Sequence, residues 1–136
     1  MTAVLRDVAL DAQVSVRGEP PVAPNTVVGD AIWLGPDEWL VLGGHEEEYA
    51  DRHAAVDVSA NRVCLELSGA GAAEVLARGC ALDLHPSVFP PGRCAQTLVA
   101  RAQVILYRTE DDAFRLLVRP SLADYLREWL RDAGAC

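Results

Sequence analysis

The sequence predicts an α+β fold with mixed, mainly antiparallel sheets and packed helices. Three observations carry that reading. Short runs of alternating polarity recur along the chain and are joined by turn residues. Helical periodicity is confined to short stretches, with no regular βαβ alternation. And 136 residues that are 51% hydrophobic and 24% charged suffice for a single core, burying about two-thirds of the unfolded chain's surface.

Residues 1–30 are expected as an extended N-terminal arm, and residues 31–136 as a single α+β domain. Within the arm, Gln13-Val-Ser-Val-Arg17 alternates like a short strand and Gly18-Glu-Pro-Pro-Val-Ala-Pro24 ends it. Ala31–Leu34 and Glu38–Leu42 read as strands around Gly35-Pro-Asp37, whose glycine and proline suit a tight reversal. Glu46, Glu47 and Glu48 open a short helical stretch to about Ala54, most simply a solvated face. Val56–Ser59 and Arg62–Leu67 are strands, the second alternating Val63, Leu65 and Leu67 against Arg62, Cys64 and Glu66. Ser68-Gly-Ala-Gly71 opens a helix through Ala73, Val75, Leu76 and Ala77, with Gly79 expected to close it at C′.

Residues 81–93 form a proline-rich loop. Ala95–Ala100, Val104–Arg108 and Phe114–Val118 follow as strands, the last two joined by the acidic turn Glu110-Asp-Asp112. In the final helix Ser121 is expected as the cap, with Asp124 completing a capping box. Leu122, Tyr125, Leu126, Trp129 and Leu130 fall on one apolar stripe of it.

The formal charge is −8, from 12 basic residues that are all arginine against 20 carboxylates. Without lysine there is no Schiff-base chemistry and no P-loop ammonium. Such an acidic surface repels phosphate, so neither nucleic acid nor an anionic membrane is expected as a partner. Arg6 and Asp7 interrupt the apolar continuity that a secretory signal needs, and no apolar run approaches the roughly 18 residues of a membrane span. Cys64, Cys80, Cys94 and Cys136 therefore read as reduced thiols in a cytoplasmic protein.

Each chemical motif fails a specific requirement. Gly69-Ala-Gly71 stands where a dinucleotide fingerprint would, but position 74 is Glu74 and no carboxylate lies between Asp83 and Glu110 to hold a ribose. A small-residue turn explains it. Cys80, His85 and Cys94 carry zinc-type donors without a close cysteine pair, so they read as buried thiols and a loop histidine. They also lack the motif of a Cys/His nucleophile. Ser68, in Glu66-Leu-Ser-Gly-Ala70, misses the first glycine of a nucleophile elbow. No catalytic residue, cofactor site or metal site is assigned.

Arg62, Arg93 and Arg108 either bind a carboxylate or phosphate or make surface pairs. Trp33 and Trp39 flank a turn, where they either pack in the core or anchor a partner. With Pro20, Pro21 and Pro24 of the arm, they form the candidate subunit interface.

Trp33-Leu-Gly-Pro-Asp-Glu-Trp-Leu40, Val56-Asp-Val-Ser59, Gly79-Cys-Ala-Leu-Asp-Leu-His-Pro86, Phe89-Pro-Pro-Gly-Arg-Cys-Ala-Gln-Thr97 and Ser121-Leu-Ala-Asp-Tyr-Leu126 occur in this order. Together they resemble the gamma subunit family of heterotetrameric sarcosine oxidase, over about residues 30–132. That family is a distant relative of the folate-binding aminomethyltransferases, so the resemblance implies a shortened form of their folate-binding domain. In those relatives a Gly-Gly-x-x-Asp-Asp segment carries the catalytic acid. The matching stretch here, Arg101-Ala-Gln-Val-Ile105, has no carboxylate, and Arg119-Pro120 replaces an Asn-Ala pair. Alanine and glutamine cannot take the proton a carboxylate takes.

The resemblance thus implies a non-catalytic accessory subunit that binds no cofactor itself. Its implied partners are alpha, beta and delta subunits that hold FAD, FMN, NAD, tetrahydrofolate and zinc. The implied complex oxidatively demethylates sarcosine to glycine, releasing peroxide and formaldehyde or methylenetetrahydrofolate. Two alternatives stay open. One is a stand-alone folate-binding one-carbon-transfer protein, for which Asp57 or Asp83 would serve the pterin unless they cap turns. The other is a homo-oligomeric scaffold.

Overall fold

The computed structural model describes residues 2–10, 12–43, 54–58 and 61–136, with the backbone alone at Ala54 and Asp57. In chain order the elements are β1 (Val4–Val8), β2 (Gln13–Arg17), β3 (Val27–Val28), β4 (Ala31–Gly35), β5 (Glu38–Leu42), β6 (Ala54–Asp57), β7 (Val63–Ser68), α1 (Ala72–Ala77), β8 (Cys94–Val99), β9 (Ala102–Glu110), β10 (Ala113–Val118) and α2 (Pro120–Asp132). The helix expected from Glu46 lies outside the described residues. The strands form two antiparallel five-stranded sheets, ordered β1-β7-β10-β9-β8 and β3-β4-β5-β2-β6. This is the α+β architecture the sequence predicts.

The first sheet is buried on both faces. Phe114, Leu116 and Val118 of β10 pack with Leu76 of α1 and Leu126 and Leu130 of α2. Leu117 of the same strand, with Ile105 of β9, packs instead against Ile32 and Leu40 of the second sheet. Alternate residues of one strand thus serve two cores, and the layers run helices, first sheet, second sheet. Double burial explains why Val104–Tyr107 reads as a continuous apolar run rather than as a half-solvated strand.

Residues 1–30, expected as an extended arm, contribute strands to both sheets. Strand β2 lies inside the second sheet, between β5 and β6. Strand β1 pairs with β7 from Val4 opposite Ser68 to Val8 opposite Cys64. Its outer edge is met by the C-terminus, where the Cys136 amide donates to the Ala3 carbonyl at 2.9 Å and the Leu5 amide to the Cys136 carbonyl at 3.1 Å. The edge that could otherwise recruit another chain is thereby partly covered.

Two local expectations are corrected. The final helix has Arg119 as its N-cap, in extended conformation, with Pro120 in the first turn and no side-chain cap. Pro120 supplies the starting φ and needs no partner for an N–H. Asp124 reaches Arg127 at 2.8 Å instead of closing a capping box. The second correction concerns only the conformation of Gly79, which stands at C′ after Arg78 as expected but without a positive φ. Its role is proximity: a Cβ there would lie 2.5 Å from the Trp129 indole and 3.0 Å from the Ala100 nitrogen.

Gly69 is required for conformation as well. It has φ +110°, and an added Cβ would lie 2.5 Å from the Thr2 carbonyl oxygen. The same oxygen accepts from the Gly71 amide at 2.8 Å, so the strand-to-helix turn closes onto the N-terminal segment.

Gly79→Ala overpacks the α1–α2 contact and should destabilise the chain by about 1–3 kcal/mol. Urea unfolding checks this, and an unchanged midpoint would show that Trp129 has room to move.

Candidate functional site

The proposed interface residues divide by burial. Trp39 of β5 is 1% exposed and packs with Val14, Val16 and Val41, so within this chain it is a core residue. Trp33, opposite it on β4, is half-buried. Pro20 is half-buried, whereas Pro21 and Pro24 are exposed. The Thr26 carbonyl accepts from the Trp33 amide at 3.1 Å, tying the proline segment to β4. Val28 on β3 is 64% exposed. Pro24, Val28 and Trp33 therefore belong to one hairpin region at the edge of the second sheet.

Among the described residues the reactive side chains are dispersed. Cys80 belongs to the core on the helix side of the first sheet, and Cys94 to the core between the sheets. The sheet thus separates two members of the sulfur–imidazole triad. His85 Nδ1 contacts Ser87 Oγ at 2.8 Å, and the His85 amide donates to Asp83 Oδ1 at 2.9 Å. Asp83 is thus a turn-forming side chain. Among the described residues, no three His, Cys, Asp or Glu side chains form a cluster able to hold a metal. Also among them, no helix is long and apolar enough to cross a membrane.

Burial pushes the Cys64 and Cys94 thiols up to about 11, so both are protonated at neutral pH and poor nucleophiles. Burial likewise raises Tyr107. Ser68 ends β7, where it pairs with Val4 and Ala113.

The three arginines considered from sequence have different surroundings. Arg93 is exposed. Arg108 is 2% exposed: Nη1 donates to the Phe89 carbonyl at 2.7 Å, Nη2 to the Leu84 carbonyl at 3.1 Å, and the guanidinium lies 4.4 Å from the Phe114 ring centroid. It is a structural brace. Arg62 lines a groove of about 620 Å³ at one end of the first sheet, together with Arg119, Gln96 and Gln103.

One charged array escaped the sequence reading. Across β1, β7, β10 and β9 the residues Arg6, Glu66, Arg115 and Tyr107 stand in register. Glu66 accepts from Arg6 at 3.0 Å and from Arg115 at 3.3 Å, and Arg115 stands opposite Tyr107. The Arg6 hydrogen bond is the main reason the Glu66 carboxyl lies below its usual range, with burial opposing and Arg115 assisting. Its signal was present: Glu66 and Arg115 each interrupt an otherwise apolar strand.

Residues 6–136 match the model of the sarcosine oxidase, gamma subunit family. The chain is 33% identical to sarcosine oxidase subunit gamma of Corynebacterium sp. (strain U-96), over 95% of this chain and 78% of that relative. It is 34% identical to the protein of the same name from Corynebacterium sp. (strain P-1), over 97% and 80% respectively. Among solved structures it resembles a chain of heterotetrameric sarcosine oxidase from Corynebacterium sp. U-96 in complex with pyrrole 2-carboxylate. There the TM-score is 0.80 at 31% identity, covering 96% of this chain and 83% of that one.

Since the folded Glu66 titrates below its unfolded value of about 4.3, its ion pairs contribute fully above that pH and are lost as pH falls through the lowered value. Glu66→Gln should cost about 1.5 kcal/mol near neutrality and make the loss of stability on acidification shallower. An unchanged acid limb in the variant would assign that titration to other carboxylates.

Proposed function

Because the chain belongs to the sarcosine oxidase gamma subunit family, we propose that it serves as the gamma subunit of a heterotetrameric sarcosine oxidase. Its role in this proposal is accessory: it supports assembly and performs no chemistry itself. The observation that carries this reading is how its reactive groups are held. Cys64 and Cys94 are protonated in the core, Glu66 is clasped by two arginines, Asp83 shapes a turn and Arg108 braces a loop. Each is engaged in holding the fold, where a catalytic acid, base or nucleophile would face a ligand.

In this reading the partners are the alpha, beta and delta subunits, which carry FAD, FMN, NAD, tetrahydrofolate and zinc. The assembled complex demethylates sarcosine oxidatively to glycine, with peroxide and formaldehyde or methylenetetrahydrofolate as products. The free thiols of Cys64, Cys80, Cys94 and Cys136 suit a reducing cytoplasm. The contact surface proposed here is the hairpin region with Pro21, Pro24, Val28 and Trp33. It combines exposed apolar groups with an aromatic side chain, the composition that interface centres favour.

Co-expression with the large subunits tests the assignment. Val28→Asp, an exposed substitution, should leave the thermal midpoint unchanged while reducing co-purification by about tenfold, as loss of an interface anchor would. Undiminished co-purification would remove this hairpin from the interface. Recovery of the wild-type chain alone, in the presence of the other subunits, would overturn the accessory role.

A further inference from the structure

The groove beside Arg62 and Arg119 forms where β7 begins, β10 ends and β8 turns into β9. At about 620 Å³ it falls within the size range of small-molecule sites. Leu98 and Ile105 give it an apolar wall, and Gln96 and Gln103 add amides. The Gln96 amide already donates to the Leu34 carbonyl at 2.7 Å.

Among the described residues neither Arg62 nor Arg119 forms an ion pair. Arg119 donates from Nη1 to Asn61 Oδ1 at 3.3 Å, which leaves its other donors for a ligand. Burial, and then the charge of Arg119, lower the pKa of Arg62. Glu38 opposes that shift, but its carboxylate also faces Arg17 at 3.6 Å. Arg62 is thus a half-buried cation beside a second, exposed one, and an anion placed between them offsets both the burial and the repulsion. In a chain of formal charge −8, this is a local reversal of sign.

We propose that the groove binds a small organic anion, with a carboxylate or phosphate between Arg62 and Arg119 and an apolar body along Leu98 and Ile105. Guanidinium forks match both oxyanions in geometry. The apolar wall selects an organic ligand over a free inorganic ion.

Titration calorimetry of the full chain at low salt tests this with four probes: 2-naphthoate, 2-naphthyl phosphate, inorganic phosphate and neutral 2-naphthalenemethanol. At least one naphthyl anion should bind about tenfold more tightly than either the alcohol or inorganic phosphate. Arg119→Gln should weaken that anion by about tenfold, and Arg62→Gln should do the same. Arg119 is exposed, so an unchanged thermal midpoint of its variant without ligand separates lost binding from lost folding. Equal affinity for the alcohol, equal affinity for inorganic phosphate, binding unmoved by Arg119→Gln, or no binding at millimolar concentration would each overturn the proposal.

Discussion

Arg108 carries a charge into a site only 2% exposed, and the surrounding chain is arranged to accept it. Taking a guanidinium out of water is costly, and the compensation comes from two carbonyls and an aromatic face. The carbonyls belong to Leu84 and Phe89, so the guanidinium holds the proline-rich loop on the helix side of the first sheet. Phe89 then stacks on Phe114, with ring centroids 6.5 Å apart. The Arg108 carbonyl accepts from Gly92 at 2.9 Å, and the Gly92 carbonyl accepts from Val27 at 2.7 Å. One side chain and its backbone thus link the core, through the loop, to the β3–β4 hairpin that bears Val28 and Trp33.

This linkage would give the accessory role proposed above a mechanical basis. A subunit without chemistry contributes to an enzyme by presenting a surface of fixed shape, and preorganised surface lowers the ordering cost of docking. The charged residues serve that rigidity. Glu66 joins β1, β7 and β10 through Arg6 and Arg115. Arg127 joins α2 to β1 through Asp7 at 3.1 Å. Both arrays help bind the N-terminal strand into the first sheet, beside the apolar contacts of Leu5 and Val8.

Local signals made β4, β5, β7, β10 and the body of α2 legible. Their alternation, turn residues and apolar stripe lie within a few positions of one another. Strand β1 was not legible, because Arg6 and Asp7 break its apolar pattern and their partners lie 60 and 120 residues away. The meaning of Arg108 was hidden for a related reason. Only the loop that carries Leu84 and Phe89, folded over the helix side of the sheet, turns an arginine near a strand's end into a buried brace. The groove joins Arg62 and Arg119 because β7 and β10 are neighbours, an adjacency set by the sheet order. Trp39 could be read as an anchor until Val14 and Val16 of β2, part of the expected arm, were seen to pack with it.

Amide hydrogen exchange in the full chain, compared with Arg108→Met, tests the brace most directly. The Val88 and Phe89 amides bond to the His85 carbonyl within the loop, and Val27 bonds to Gly92. If Arg108 holds the loop, exchange at these three amides accelerates in the variant while the amides of β5 keep their protection. Unchanged exchange at all three, or an equal acceleration throughout both sheets, would contradict it.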